Sequence, residues 1–153
     1  MKFSSKNIKF KKKDASSIKS YDMGKYVLIL GNDATDIFTF YDVEEMHGLN
    51  KKDAQAEEVD KTTGNGVYIE GLTNYDPRDK KLTGKSPYKP FVFLNTSHIK
   101  KRDIPGKCFS IMHETIHLAM LLNNWDIDNK EEDMTTMAEE EANRIWNKVS
   151  NKL

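Results

Sequence analysis

The spacing of apolar residues changes about two thirds of the way along the chain, and this change restricts the possible folds more than any other feature of the sequence. Before that point the apolar residues form short runs bounded by turn residues, which predicts strands at 26–30, 37–41, 67–69 and 91–94. After it they recur every three or four residues, which predicts one helix from Pro105 to about Asn123 and a second from about Asp128 to Val149. Strands followed by helices, without alternation, indicate an α+β fold.

The length and the charge balance narrow the class of protein further. A chain of 153 residues is typical of one domain. Its 24 basic and 24 acidic residues cancel, which argues against a chain that mainly grips phosphate backbones or acidic membranes. We therefore expect neither a nucleic-acid nor a membrane partner. An aromatic content of 10% argues for a packed core rather than disorder.

Cysteine usage and the N-terminus indicate the compartment. The single cysteine, Cys108, excludes an intramolecular disulfide and a cysteine-rich zinc module, and it fits a reducing environment. No apolar run approaches the roughly 18 residues of a membrane span. The N-terminus is basic but lacks the apolar stretch of a signal peptide. These features predict a cytoplasmic protein, with association with a virion as an open alternative and the oligomeric state undetermined.

Charge is unevenly distributed along the chain. Residues 1–30 contain eight lysines and two aspartates, whereas residues 126–153 contain eight acidic and four basic residues. We interpret residues 1–20 as a basic arm or an edge strand, with nucleic-acid binding through this segment as a minor alternative. Residues 44–66 are charged and end in a turn-rich stretch, which predicts a mobile loop.

The candidate metal-binding and catalytic residues lie inside the first predicted helix, in the H-E-x-x-H sequence from His113 to His117. Residues four apart share one face of a helix, so the two imidazoles can converge on one Zn²⁺ ion. Glu114 lies beside the first histidine, from where it can take a proton from the attacking water and pass it to the leaving amine. The alternative is a pair of surface histidines next to an acid.

Two histidines do not complete a catalytic zinc site, which usually has three protein ligands and an open position. Residues 118–123 contain no further histidine, so we expect a carboxylate of the second helix to be the third ligand. The obvious source is the run Glu139, Glu140 and Glu141, which lies 22 to 24 residues after His117. Because such a run is also typical of a solvated helix face, at most one of the three is expected to bind metal.

The H-E-x-x-H sequence, followed by Glu139-Glu140-Glu141-Ala142-Asn143, resembles the gluzincin metallopeptidases, and most of all the small ImmA/IrrE-type proteins. The resemblance covers roughly residues 91–147. It implies a zincin-like single domain spanning residues 1–153. In such a domain a small twisted N-terminal β-sheet is followed by the metal-binding helix and a C-terminal helix that carries the glutamate ligand.

The same resemblance implies roles for residues of the second helix. Glu139 would be the third ligand of one zinc ion per chain, and Asn143, four residues later, would brace Glu139 or His113. Glu141 is the runner-up ligand, because it lies nearer the apolar face of this helix.

The resemblance also implies how a peptide or protein substrate binds. An edge strand beside the metal helix would pair with extended substrate, and the residues that would form it are Phe91, Val92, Phe93 and Leu94. An ordinary core strand is the alternative. A Tyr or His would stabilise the oxyanion; His98 is the first candidate, with Tyr68, Tyr75 and Tyr88 left open.

The leading hypothesis is therefore a zinc-dependent metallopeptidase with narrow specificity for a regulatory or partner protein. The main alternative is a zincin-fold binding or assembly module, of the kind a phage or mobile element carries, without significant peptidase activity. The short chain favours this alternative, since little sequence is left for a second lobe to wall a deep cleft.

Overall fold

A computed structural model of the chain describes residues 18–54, 69–85 and 87–153. The strands are β1 (Lys19–Asp22), β2 (Val27–Gly31), β3 (Glu45–Met46), β4 (Leu49–Asn50), β5 (Gly71–Asn74) and β6 (Phe91–Asn95). The α-helices are α1 (Asp36–Tyr41), α2 (Thr96–Ile99), α3 (Ile104–Leu122) and α4 (Ile127–Val149), and a 3₁₀ turn (Ser150–Lys152) follows α4. This mixture of strands and helices confirms the α+β class.

Four of the strands form one mixed sheet in the order β1-β2-β6-β5. The central pair β2 and β6 is parallel, with Ile29 opposite Phe93, whereas β1 and β5 pair antiparallel at the two ends. Lys19 and Ser20, the last two residues of the segment interpreted as a basic arm or an edge strand, lie in β1 at one end of this sheet. Residues 1–17 lie outside the described part of the chain.

The strand predicted at Phe91–Leu94 is confirmed, but the prediction that it is an edge strand is wrong. β6 pairs with β2 on one side and with β5 on the other, and all five of its residues are buried. Its four consecutive apolar side chains need cover on both faces of the sheet, but it is the pairing with β2 and β5 that makes the strand central. The edge strand on the side of α3 is β5, and α3 packs against it.

The sheet has a hydrophobic core on each face, since alternate strand residues point to opposite sides. One face packs against α3 and α4, and its buried residues include Leu28, Leu30, Val92, Leu94, Ile111, Leu118, Ile145 and Val149. The other face packs against α1 and the β3–β4 hairpin, through residues that include Ile29, Phe91, Phe93, Ile37, Phe38 and Met46. The position of α3 relative to the sheet is therefore set by packing on the first face.

The strand predicted at 37–41 is wrong, because residues Asp36–Tyr41 form α1. Two side chains hold the turn before this helix: Asp33 accepts the backbone N–H of Thr35 at 2.7 Å, and Asp36, the first helical residue, accepts that of Asn32 at 2.7 Å. The β-rich composition is overridden because a helix buries Ile37 and Phe38 fully against the sheet.

The first part of the loop predicted at 44–66 has regular structure instead. Residues 45–50 form a β-hairpin with His47 and Gly48, both at positive φ, at its turn. This conformation at both central residues matches the twist of a two-residue hairpin. Residues 55–66 lie outside the described part of the chain. So do Val67 and Tyr68 of the strand predicted at 67–69, and β5 begins only at Gly71.

Both predicted long helices are confirmed, with ends within one or two residues of those expected. Asp103 caps α3 by accepting the backbone N–H of Gly106 at 2.8 Å, and Pro105 lies in the first turn, where its missing N–H is harmless. The first turn of α4 is kinked at Lys130. None of the described helices combines the length and the apolar character needed to cross a bilayer.

Candidate metal centre

The two histidines of α3 lie side by side in the geometry of a metal-binding pair. The Nε2 atoms of His113 and His117 are 3.3 Å apart, and their ring centroids are 4.8 Å apart. Two nitrogens about 2.0–2.1 Å from one tetrahedral zinc ion are separated by about 3.3 Å. The spacing of this pair therefore fits zinc without rearrangement of the helix.

The surroundings of His117 favour the form of imidazole that binds metal. Partial burial lowers the pKa of His117, and the neighbouring positive charge of a protonated His113 lowers this pKa further. Only the neutral imidazole offers a nitrogen lone pair to a metal. His117 is thus suited to bind metal at neutral pH.

Glu114 is directed from α3 toward the edge strand β5. Its side chain is only 5% exposed, and the hydroxyl of Thr73 donates a hydrogen bond to Glu114 Oε1 at 3.0 Å. Burial raises the pKa of Glu114 and nearby Glu70 raises it as well, while the Thr73 hydroxyl and His113 oppose the rise. A carboxyl with a raised pKa is better suited to receive a proton near neutral pH.

The close approach of β5 to Glu114 depends on a glycine. A Cβ atom added to Gly71 would lie 2.7 Å from Glu114 Oε2 and 2.8 Å from Glu114 Cγ. Both distances are far below van der Waals contact, so a larger residue would push the carboxylate or the strand aside. Gly71 therefore lets the backbone of the edge strand lie directly on the Glu114 side chain.

Replacing Gly71 with Ala is expected to destabilise the fold by about 1–3 kcal/mol, the usual cost of overpacking. In a background in which Glu114 is already Ala, the same replacement should cost much less, because the atoms it meets are gone. Urea unfolding of the four proteins in this cycle measures the coupling. Equal destabilisation in both backgrounds would contradict the contact.

A polar cluster ties the residue before β5 to the first half of α3. Arg102 donates a hydrogen bond to Ser110 Oγ at 2.7 Å and forms an ion pair with Glu70 at 3.3 Å. Ser110 in turn donates to Glu70. Because Glu70 precedes Gly71 and Ser110 lies one turn before Glu114, this cluster holds strand and helix in register at the site.

The structure does not bring the predicted third ligand into the histidine pair. Within the described ranges, no His, Cys, Asp or Glu joins His113 and His117 in a group of three that could hold a metal ion. Glu139 is exposed and instead lines a groove beside Ile116, between α3 and α4. Its role as ligand stays a prediction.

The runner-up, Glu141, has other partners. Its Oε2 accepts a hydrogen bond from the hydroxyl of buried Tyr26 at 2.6 Å, and both carboxylate oxygens accept from Arg144 at 2.8 and 2.9 Å. Arg144 also donates to the carbonyl of Met23 at 3.1 Å. Glu141 thus joins α4 to the β1–β2 turn, and Glu140 lines a cavity on the same side.

The remaining predicted site residues are not gathered around the histidines. In the described part of the chain, Asn143 is exposed and makes no hydrogen bond to Glu139 or His113. His98 lies in α2 and is only 5% exposed, so its ring is not presented on the surface. Tyr75 stacks edge-on to His47, Tyr88 lies beneath Arg78, and Tyr68 is outside the described residues.

Sequence reasoning missed Gly71 and Thr73, the residues that contact Glu114. The segment Gly71–Asn74 has only four residues, and Gly and Asn at its ends are poor strand formers. Glu70, Arg102 and Ser110 were missed as well, since no spacing motif links residues that meet only after folding.

Comparisons of the chain with protein-family models, with curated proteins and with solved structures gave no match in any of the three.

Proposed function

We propose that the chain is a zinc-dependent metallopeptidase of the gluzincin type. The observation that carries the proposal is the 3.3 Å separation of the two histidine Nε2 atoms next to a buried glutamate with a raised pKa. If His113 and His117 were ordinary surface residues beside an acid, the burial of Glu114 against β5 would have no explanation.

Each residue of the site has its own proposed role. His113 and His117 would hold the metal, which when bound supplies a Lewis acid that polarises water and the substrate carbonyl. Glu114 receives the proton of the attacking water and returns it to the amine leaving group. Thr73 holds the carboxylate of Glu114 in place through its hydrogen bond of 3.0 Å.

The free edge of β5 is the proposed binding site for the peptide backbone. Among the described strands β5 has one partner, β6, so its outer backbone groups are open to pairing. An extended peptide added there would continue the sheet and pass beside Glu114, which Thr73 contacts from the same strand. A short edge of four residues is consistent with recognition of a limited segment in one partner protein.

Glu139 is proposed as the third zinc ligand, and the chain offers a matched control for it. Replacing Glu139 with Ala should weaken zinc binding by at least about 10-fold. Even the loss of a residue that only hydrogen-bonds to a metal ligand typically lowers metal affinity by about 10–100-fold. Replacing Glu141 with Ala should leave zinc binding intact. It should instead lower stability by about 1–3 kcal/mol, because the hydroxyl of buried Tyr26 loses its acceptor. Calorimetric zinc titration and urea unfolding separate the two effects.

The proposal is tested by zinc content and hydrolysis in the same preparation. Protein purified without chelator or histidine tag should contain about one zinc per chain by elemental analysis, and should cut members of a peptide library in a chelator-sensitive manner. A wild-type protein that takes up no zinc after its addition would rule the peptidase out.

The second candidate is a zincin-fold binding or assembly module, favoured by the fact that the described residues do not assemble a third ligand around His113 and His117. It predicts zinc uptake without hydrolysis, or no zinc uptake at all.

A further inference from the structure

A groove of about 370 Å³ lies between α3 and α4. Its floor and walls are apolar and rich in methionine, and the residues that matter here are Met112, Ile116, Ile127, Met134, Glu131 and Glu139. Ile116 is 43% exposed and Ile127 is 47% exposed. Large apolar side chains left open beside one another typically mark a binding surface.

The position of the groove around α3 links it to the candidate metal centre. Successive residues of an α-helix are rotated by about 100°. By this rotation Ile116 lies about 100° from His117 on one side, and Glu114 about 60° from it on the other. The histidines therefore lie between the edge strand β5, which Glu114 faces, and the groove, which Ile116 faces. A chain that pairs with β5 and crosses the histidines would reach the groove next.

One rim of the groove carries two carboxylates. Glu131, Thr135 and Glu139 follow each other at intervals of four residues, so they form one line along α4. This line is about 12 Å long at 1.5 Å per residue, the length of three to four extended residues. The segment from residue 126 onward is acidic as a whole, with eight acidic and four basic residues.

We propose that this groove is a substrate-recognition site that takes an apolar side chain flanked by lysine or arginine. The inference rests on the peptidase function proposed above and adds a substrate class to it. The apolar side chain would lie on Ile116 and Met134, where flexible methionines adapt to its shape. The basic neighbours would face Glu131 on the rim, since Glu139 is the proposed zinc ligand, so an acidic segment of the same shape is disfavoured.

The test uses two fluorescein-labelled nonapeptides that differ only in their centre, Lys-Leu-Lys or Glu-Leu-Glu, added to the zinc-loaded full-length chain. The initial fluorescence anisotropy measures binding, and its later decay measures hydrolysis. The basic peptide should bind at least about 5-fold more tightly than the acidic one. Glu131→Lys should remove most of this preference, whereas Glu132→Lys, an equal charge change on an exposed residue that does not line the groove, should leave it in place. Ile127→Ser should weaken the binding of both peptides.

Each result separates the groove from the catalytic proposal. Selective binding with no later decay supports the groove and contradicts the peptidase. Decay without preference for the basic peptide, or equal effects of Glu131→Lys and Glu132→Lys, overturns the groove while the peptidase stands. Light scattering that shows a dimer in the wild type but a monomer in Ile127→Ser would mean that a second copy covers the groove, and would also overturn the inference.

Discussion

Replacing Glu114 with Gln is expected to reduce hydrolysis by about 10²–10⁴-fold, the usual contribution of a general base. Zinc binding should be unchanged, because the imidazoles of His113 and His117 are untouched. The fold should also be retained, since the amide oxygen of Gln can accept the same hydrogen bond from Thr73. The measurement is kcat/KM on the best library peptide, alongside zinc content by elemental analysis.

The same variant should be more stable than the wild type when metal is removed from both. Burial raises the pKa of Glu114 in the folded protein, so ionisation of this carboxyl at neutral pH opposes folding. Below the ordinary glutamate pKa of about 4.3 the carboxyl is neutral in both states and the two proteins should be equally stable. The advantage of Gln should therefore appear as pH rises from 4 toward 8, in urea unfolding with chelator present.

The matched control is Glu132→Gln, a carboxyl on α4 that is exposed. It should change neither hydrolysis nor the pH dependence of stability. Hydrolysis at the wild-type rate by the Glu114 variant would remove Glu114 from the reaction. Equal stability of that variant and the wild type at every pH would instead contradict the buried environment of the carboxyl.

Replacing His117 with Ala is expected to weaken zinc binding by more than about 100-fold. This exceeds the loss of about 10–100-fold that follows when a residue hydrogen-bonded to a metal ligand is removed. Removing His117 leaves only His113 and the proposed ligand Glu139, and two ligands from separate helices should not retain the ion through dialysis. The measurement is zinc affinity from competition with a fluorescent chelator. His47→Ala is the control, since His47 lies in the β3–β4 hairpin and bonds to backbone carbonyls of the loop after β5.

Zinc uptake by the wild type should also depend on pH in a defined direction. Metal displaces protons from histidine, so uptake must fall as the imidazoles become protonated. Because burial lowers the pKa of His117, this residue stays available to metal at a lower pH than a free imidazole, whose pKa is about 6.5.

Zinc that remains bound in His117→Ala but is lost in His47→Ala would contradict this assignment of the histidine pair.

Elements whose pattern is local could be predicted from the amino-acid sequence. The spacing of apolar residues in α3 and α4 follows the helical repeat over some twenty residues, so both helices and the adjacency of His113 and His117 could be predicted. The strands around Leu28 and Phe93 could be predicted because each is a continuous apolar run between turn residues. The β-rich composition of 37–41 predicted a strand, whereas burial of Ile37 and Phe38 against the sheet favours the helix that is found.

Which strand lies at the edge and which residues surround Glu114 could be seen only in the folded protein. Both depend on pairings between residues distant in sequence: β2 with β6, β5 with β6, and Thr73 with Glu114 across 41 positions. A run such as Phe91–Leu94 records that a strand is buried, but not which neighbours bury it. The carboxylates of α4 show the same limit. Glu139 and Glu141 are chemically identical in the sequence, yet one faces a groove beside α3 and the other bonds to Tyr26.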